Sequence, residues 1–287
     1  MSGEVCVVTG ATSGIGKATA AALAGQGAQL VLVCRDRGRG EAAVAELAAA
    51  AGPVPRLEVA DLASMEQVRA LANRLGALER IDVLINNAGL MAGQRRVTAD
   101  GFDEVFAVNH LAPFLLTNLL LGKLTAAGPA RVITVTSDAH TAARLDLDDL
   151  QLEHGWQSWR AYANSKLANI LFTRELARRL AGRAVTANCA HPGLVRTRFG
   201  REARPSMRVA VTLARPFMLS PRRGARTVVY LATSPQVAGA TGGYYVKSQR
   251  REPSPAARDD DTARRLWQLS EELTGLTETA DDSWGRP

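Results

Sequence analysis

The chain is poor in the features that would place it outside the ordinary globular class. It has three cysteines in 287 residues, Cys6, Cys34 and Cys189. Each lies in or at the end of an apolar strand-like run, and none has zinc-like spacing. They read as buried reduced thiols, which argues against a disulfide frame and against metal catalysis. No apolar run is long enough to cross a bilayer. The start passes almost directly into Val5-Cys6-Val7-Val8, with no charged region and cleavage site of a signal peptide. The expectation is a cytoplasmic protein with no stable membrane anchor. The net charge of +7 comes mostly from arginine, scattered among acids with local pairs at Arg178-Arg179, Arg222-Arg223 and Arg250-Arg251. No basic stretch carries interleaved aromatics for base stacking, so nucleic acid is not an expected partner.

What is present is a sizeable apolar fraction, 46%, enough for one large core. Strand-like runs alternate with helical patterns. Strands are expected at Glu4–Thr9, Ala28–Cys34, Val54–Val59, Ile81–Asn86, Ala130–Thr136 and Val185–Ala190. Helices are expected at Ile15–Ala24, Glu41–Ala51, Met65–Leu75, Phe102–Ala126 and Tyr162–Leu180. The strand runs are apolar throughout, as when both sheet faces are covered. This is the pattern of an α/β, doubly wound parallel sheet of Rossmann type, three layers deep, in one domain over 1–250. A partly helical extension over 251–287 carries Leu266, Trp267, Leu269 and Leu273 at helical spacing.

Ligands of such sheets bind beyond the carboxyl ends of the strands, and the informative residues follow strands. Gly10-Ala11-Thr12-Ser13-Gly14-Ile15-Gly16 joins the first strand to a helix. Its glycines allow a tight turn and close approach to a pyrophosphate, and the helix offers free amides. At the end of the second strand, the usual acid that holds a ribose 2′-hydroxyl is replaced by Cys34, and Arg35 follows. An arginine can pair with a 2′-phosphate, which favours NADP(H) over NAD(H). Lys17 is a second candidate cation, and Asp36 complicates the reading. Asn86-Asn87-Ala88-Gly89 follows the fourth strand; its asparagines can tie adjacent strands. Ser137 ends the fifth. Tyr162 and Lys166, four apart, share a helix face at about 6 Å between Cβ atoms.

Taken in order, these elements resemble the short-chain dehydrogenase/reductase family from Glu4 to about Tyr245. The match includes Asn109 and His191-Pro192-Gly193-Leu194-Val195-Arg196-Thr197. Val33-Cys34-Arg35-Asp36, Thr136-Ser137-Asp138-Ala139-His140 and Leu269–Leu276 are more similar to its retinol-dehydrogenase-like group. The resemblance implies an NADP(H)-dependent oxidoreductase that interconverts a ketone or aldehyde and an alcohol, with an apolar small-molecule substrate and a homodimer or homotetramer. It implies catalytic roles for Asn109, Ser137, Tyr162 and Lys166. Tyr162 is the acid/base, Lys166 lowers its pKa and holds the nicotinamide ribose, Ser137 polarises the substrate oxygen, and Asn109 supports a water path to Lys166.

For the cofactor it implies Gly10, Thr12, Ser13, Gly14, Ile15, Gly16, Arg35, Asn87, Ala88 and Gly89, together with Tyr162 and Lys166 of the catalytic set. Asp61 and Leu62 match the positions that meet adenine. Pro192, Gly193, Val195 and Thr197 match those at the nicotinamide. His140 and His191 are not expected to be general bases. The long interval between Ser137 and Tyr162 (139–159) and the segment 197–222, with its apolar Met207–Leu219, are expected to be substrate loops, the latter a lid. A non-catalytic NADP(H)-sensing protein on the same fold is the alternative reading.

Overall fold

A computed structural model describes residues 1–50, 53–196 and 218–276. Thr197, most of the expected lid and the last eleven residues lie outside the described residues. Eight strands form one sheet in the order β3-β2-β1-β4-β5-β6-β7-β8. They are β1 (Val5–Thr9), β2 (Gln29–Cys34), β3 (Arg56–Val59), β4 (Val83–Asn86), β5 (Ala130–Val135), β6 (Val185–His191), β7 (Tyr244–Val246) and β8 (Gln249–Arg251). All neighbours are parallel except β7 and β8. The order reverses at β1, beside β4, so the cleft opens where the chain first turns into a helix.

Helices α1 (Gly14–Ala24), α2 (Arg37–Ala50) and α6 (Pro221–Thr233) cover one sheet face. Helices α3 (Met65–Gly76), α4 (Glu104–Ala126), α5 (Ser158–Arg179) and α7 (Asp260–Thr274) cover the other. Both faces of β1 are therefore dry, and all five of its residues are buried. This is the physical reason for its unbroken apolar run.

Several boundaries differ from the sequence expectation. Helix α2 starts at Arg37 rather than Glu41, because the Asp36 carboxylate accepts the Arg39 amide at 2.7 Å and caps it. Helix α5 starts at Ser158, four residues before Tyr162. Strands β7 and β8 and helix α6 were not anticipated. Pro221 and Arg222 belong to α6 rather than to a loop. Strand β8 crosses the expected boundary at 250, so the extension is continuous with the sheet.

Among the described residues, one helix, α4, is long and apolar enough to cross a membrane, contrary to expectation. Its most apolar window is 89% buried. Its apolar surface is used against the sheet, α3, α5 and α7.

Candidate active site

The sequence-predicted residues that the structure describes meet along the carboxyl edge of β1 to β6. Gly10 leaves β1 with φ +67°, and its amide donates to the Val33 carbonyl at 2.9 Å. A Cβ on Gly16 would come 2.4 Å from the Gly10 carbonyl oxygen, so the α1–β1 packing requires glycine. Thr12, Ser13, Gly14 and Ile15 form the turn and the first residues of α1. Ser13 makes no side-chain bond to the α1 amides, and the first turn holds no acid. By contrast, Ser64, Ser220 and Asp259 cap α3, α6 and α7. The α1 terminus is thus left with amides that suit a phosphate group.

The Asn-Asn-Ala-Gly element does tie strands together. The Asn87 side chain donates to the Thr9 carbonyl at 2.8 Å, and Thr9 Oγ1 accepts the Asn87 and Ala88 amides at 3.0 Å each. Thr9, which opens the glycine-rich motif, has no role assigned at the sequence level, since a threonine closing a strand carries no distinctive signal. Leu62 and Ala88 line one small cavity with Thr9 and Val108. Asp61, after β3, accepts the Ala63 amide at 3.0 Å. Gly89 sits between the Asn109 and Lys166 side chains; a Cβ there would lie 3.2 Å from Asn109 Oδ1 and 3.4 Å from Lys166 Nζ. Pro192, Gly193 (φ +82°) and Val195 follow β6, and the chain pairs back at Val195–Leu219.

At the end of β2 the three candidate charges separate. Lys17, the second candidate cation, is ion-paired with Glu46. Asp36 is committed to the α2 cap. Arg35 is exposed and has no hydrogen-bond or ion-pair partner among the described residues.

The catalytic candidates are all buried or half-buried. Asn109 lies in a π-helical turn, Ala107–Leu111, within α4. Such a turn inserts one residue into the helix and re-aims a side chain. The Asn109 amide brackets Leu90, accepting its N–H at 2.8 Å and donating to its carbonyl at 3.0 Å, and also donates to Ser165 Oγ at 2.9 Å. Ser165 is a second residue that sequence reasoning passed over. Thr136 Oγ1 donates to the Lys166 carbonyl at 2.8 Å and fixes α5 against β5. Lys166 Nζ donates to the Val135 carbonyl at 3.2 Å and stands 5.5 Å from the centre of the Tyr162 ring.

Burial dominates the titration of this group in the chain by itself. Burial pushes the Tyr162 hydroxyl up to about 12, and a hydrogen bond with Ser137 only partly offsets it. Burial also pushes Lys166 down to about 8. In the chain by itself, removal from water disfavours the charged form of each group, the phenolate of Tyr162 and the ammonium of Lys166.

The 139–159 interval forms a wall beside Tyr162. It begins as a one-turn helix, Asp138–Ala142. Asn164 holds it to α5 by accepting the Arg144 amide at 2.9 Å and donating to its carbonyl at 3.1 Å. Trp156 Nε1 donates to Asp103 Oδ2 at 2.9 Å. Met91, Ala139, Tyr162 and Ala163 pack as one apolar cluster, and the exposed Trp159 lies 6.1 Å from the Tyr162 ring.

With this geometry in place, comparison with known proteins is decisive. The short chain dehydrogenase family model matches residues 4–208. The chain belongs to this family. It is 44% identical to retinol dehydrogenase 14 of Homo sapiens over 96% of its length and 88% of that protein's. A solved structure of a protein from Mycobacterium paratuberculosis superposes with a TM-score of 0.79 at 36% identity, covering 96% of this chain and 94% of that one. A short chain dehydrogenase from Burkholderia cenocepacia in complex with NADP gives 0.68 at 26% identity, covering 85% and 95%. The protein is a Rossmann-fold oxidoreductase of the short-chain type.

Proposed function

We propose that the protein is an NADP(H)-dependent oxidoreductase that interconverts an apolar ketone or aldehyde and its alcohol. The observation that carries this reading is the convergence of Ser137 and Tyr162 in a mutual hydrogen bond, with Lys166 below the Tyr162 ring. When bound, the nicotinamide supplies or accepts the hydride. The uncapped α1 terminus, the close-packed Gly10–Gly16 turn and the φ +82° at Gly193 suit such a cofactor.

In reduction, the Ser137 hydroxyl donates to the substrate carbonyl oxygen and polarises it. Tyr162 gives that oxygen its proton as the carbonyl carbon gains hydride. A hydroxyl held protonated by burial is suited to this acid role. Lys166, buried at the same site, favours the phenolate left on Tyr162 and is positioned to hold the ribose of the cofactor. Asn109, through Leu90 and Ser165, keeps the loop after β4 and helix α5 in register. The apolar surround of Met91, Ala139 and Trp159 favours an apolar substrate.

The direct test is NADPH consumption with a panel of apolar aldehydes and ketones. Turnover is expected. Tight NADPH binding with no turnover on any carbonyl or alcohol would favour a sensing role instead. Cofactor choice has its own test, because Arg35 at the end of β2 is engaged neither in an ion pair like that of Lys17 nor in a helix cap like that of Asp36. Arg35→Ala is expected to weaken NADPH by about tenfold to a hundredfold, the worth of one charge-assisted contact, while NADH changes little. An equal effect on both cofactors would remove Arg35 from the 2′-phosphate site.

A further inference from the structure

Behind Ser137 lies a second polar cluster, distinct from the tyrosine–lysine pair. It contains Asp138 and His140 from the turn after β5, His191 at the end of β6, Tyr244 on β7 and Ser254 after β8. Both histidines are buried. His140 Nδ1 lies 2.8 Å from the Ser137 carbonyl oxygen, and His140 Nε2 accepts the Ser254 amide at 3.1 Å. His191 Nδ1 accepts the Asp138 amide at 3.2 Å, and its Nε2 faces Asp138 Oδ2 at 3.4 Å. Tyr244 Oη donates to Asp138 Oδ1 at 2.8 Å, and its ring meets the His140 ring edge-on at 5.1 Å.

The backbone partners determine the tautomers. A carbonyl only accepts, so His140 carries its proton on Nδ1. An amide only donates, so His140 Nε2 is bare. By the same rule His191 is bare at Nδ1 and protonated at Nε2, toward Asp138. Both rings are therefore neutral, and each has one nitrogen fixed on the backbone that leads into or out of Ser137. Burial, which lowers the His191 pKa, favours this neutral state. Ser137 itself has little else to hold its main chain. Its Oγ accepts the Ala139 amide at 3.2 Å, and its carbonyl takes the His140 amide at the same distance within the turn.

We propose that His140 is a positioning residue for Ser137, acting through the Nδ1–H bond to the Ser137 carbonyl, and that His191 and Tyr244 steady the same turn through Asp138. Neither histidine reaches the reacting atoms in this role. The cluster also joins the substrate-oxygen site to the His191–Val195 turn at the nicotinamide end, so one set of bonds sets both sides of the cleft. The inference rests on the assignment of Ser137 to the substrate oxygen.

Two near-isosteric variants separate the two ring nitrogens. His140→Asn keeps a donor at the Nδ1 position and loses the acceptor for Ser254. His140→Gln keeps an acceptor at the Nε2 position and loses the donor to Ser137. The expected result is near-normal kcat for His140→Asn. For His140→Gln, kcat falls by roughly tenfold to a hundredfold with NADPH affinity retained, the usual cost of loosening a support for a reacting group. That loss should vanish when Ser137→Ala is already present. Tyr244→Phe, which removes only one hydroxyl, should give a smaller loss with the same dependence on Ser137. Equal kcat in the Asn and Gln variants, or losses undiminished in the Ser137→Ala background, would overturn the proposal. Full activity in Tyr162→Phe is a different outcome: it would sink the catalytic assignment itself.

Discussion

Tyr162→Phe should lower kcat for carbonyl reduction by roughly 10²–10⁴-fold, the range for losing a positioned general acid. The ring stays, so its packing with Met91, Ala139 and Ala163 is kept and NADPH binding should be unchanged. Kinetics together with a cofactor titration by fluorescence check both halves; wild-type turnover in the variant would end the acid assignment. The same group sets the pH dependence, and the sign follows from burial. The Tyr162 pKa is raised, so the hydroxyl is protonated throughout the neutral range. Reduction needs that proton and should vary little between pH ~6 and ~8. Oxidation of the alcohol needs the phenolate, so its rate should climb with pH over the same interval and beyond. Lys166, lowered to about 8, loses its charge in the alkaline part of that range, which should flatten the climb. A rate of oxidation that falls from neutral to mildly alkaline pH would contradict this.

Trp267→Ala should be the most damaging change remote from the chemistry. Trp267 is on α7, yet it is almost wholly buried. Its ring lies 4.9 Å from Phe114 of α4 and stacks on Phe172 of α5 at 5.8 Å. The Arg179 guanidinium sits 4.3 Å from the ring centre, and Nε1 donates to Glu271 at 2.6 Å. Deleting such a side chain typically costs about 3–5 kcal/mol, a large share of the stability of one domain. Urea or thermal unfolding should show a loss of that size, about 5–8 °C in Tm. The Ser270 hydroxyl of α7 lies 2.9 Å from Nε2 of His110, the residue after Asn109 in α4, so looser docking of α7 should also be felt at the site. A loss under about 1 kcal/mol would mean that α7 is a detachable cover rather than part of the core.

The helical spacing of Leu266, Trp267, Leu269 and Leu273 pointed to packing of this tail, and that packing is found. The spacing could not say against what. The π turn at Asn109 was equally hidden, because it is imposed by α5 and the loop after β4 rather than by residues with a local propensity. Helix α6 is basic at its start and follows a segment read as a lid, so its amphipathic face was overlooked.

The order of strands and helices from β1 to β6, and the placing of the glycine turn, Asn87, Ser137 and the Tyr162–Lys166 pair at strand ends and on one helix face, were determined by the sequence alone. These depend on local period, on turn chemistry and on spacing, which are properties of adjacent residues. Distant contacts decided the rest. Only the folded chain pairs Lys17 with Glu46, turns Asp36 to the α2 cap and leaves Arg35 uncommitted. Only the fold sets the burial that raises the Tyr162 pKa, since a pKa depends on how much water the fold removes. The two histidines that looked incidental in the sequence gain their meaning from backbone partners brought together by β5, β6, β7 and the turn after β8.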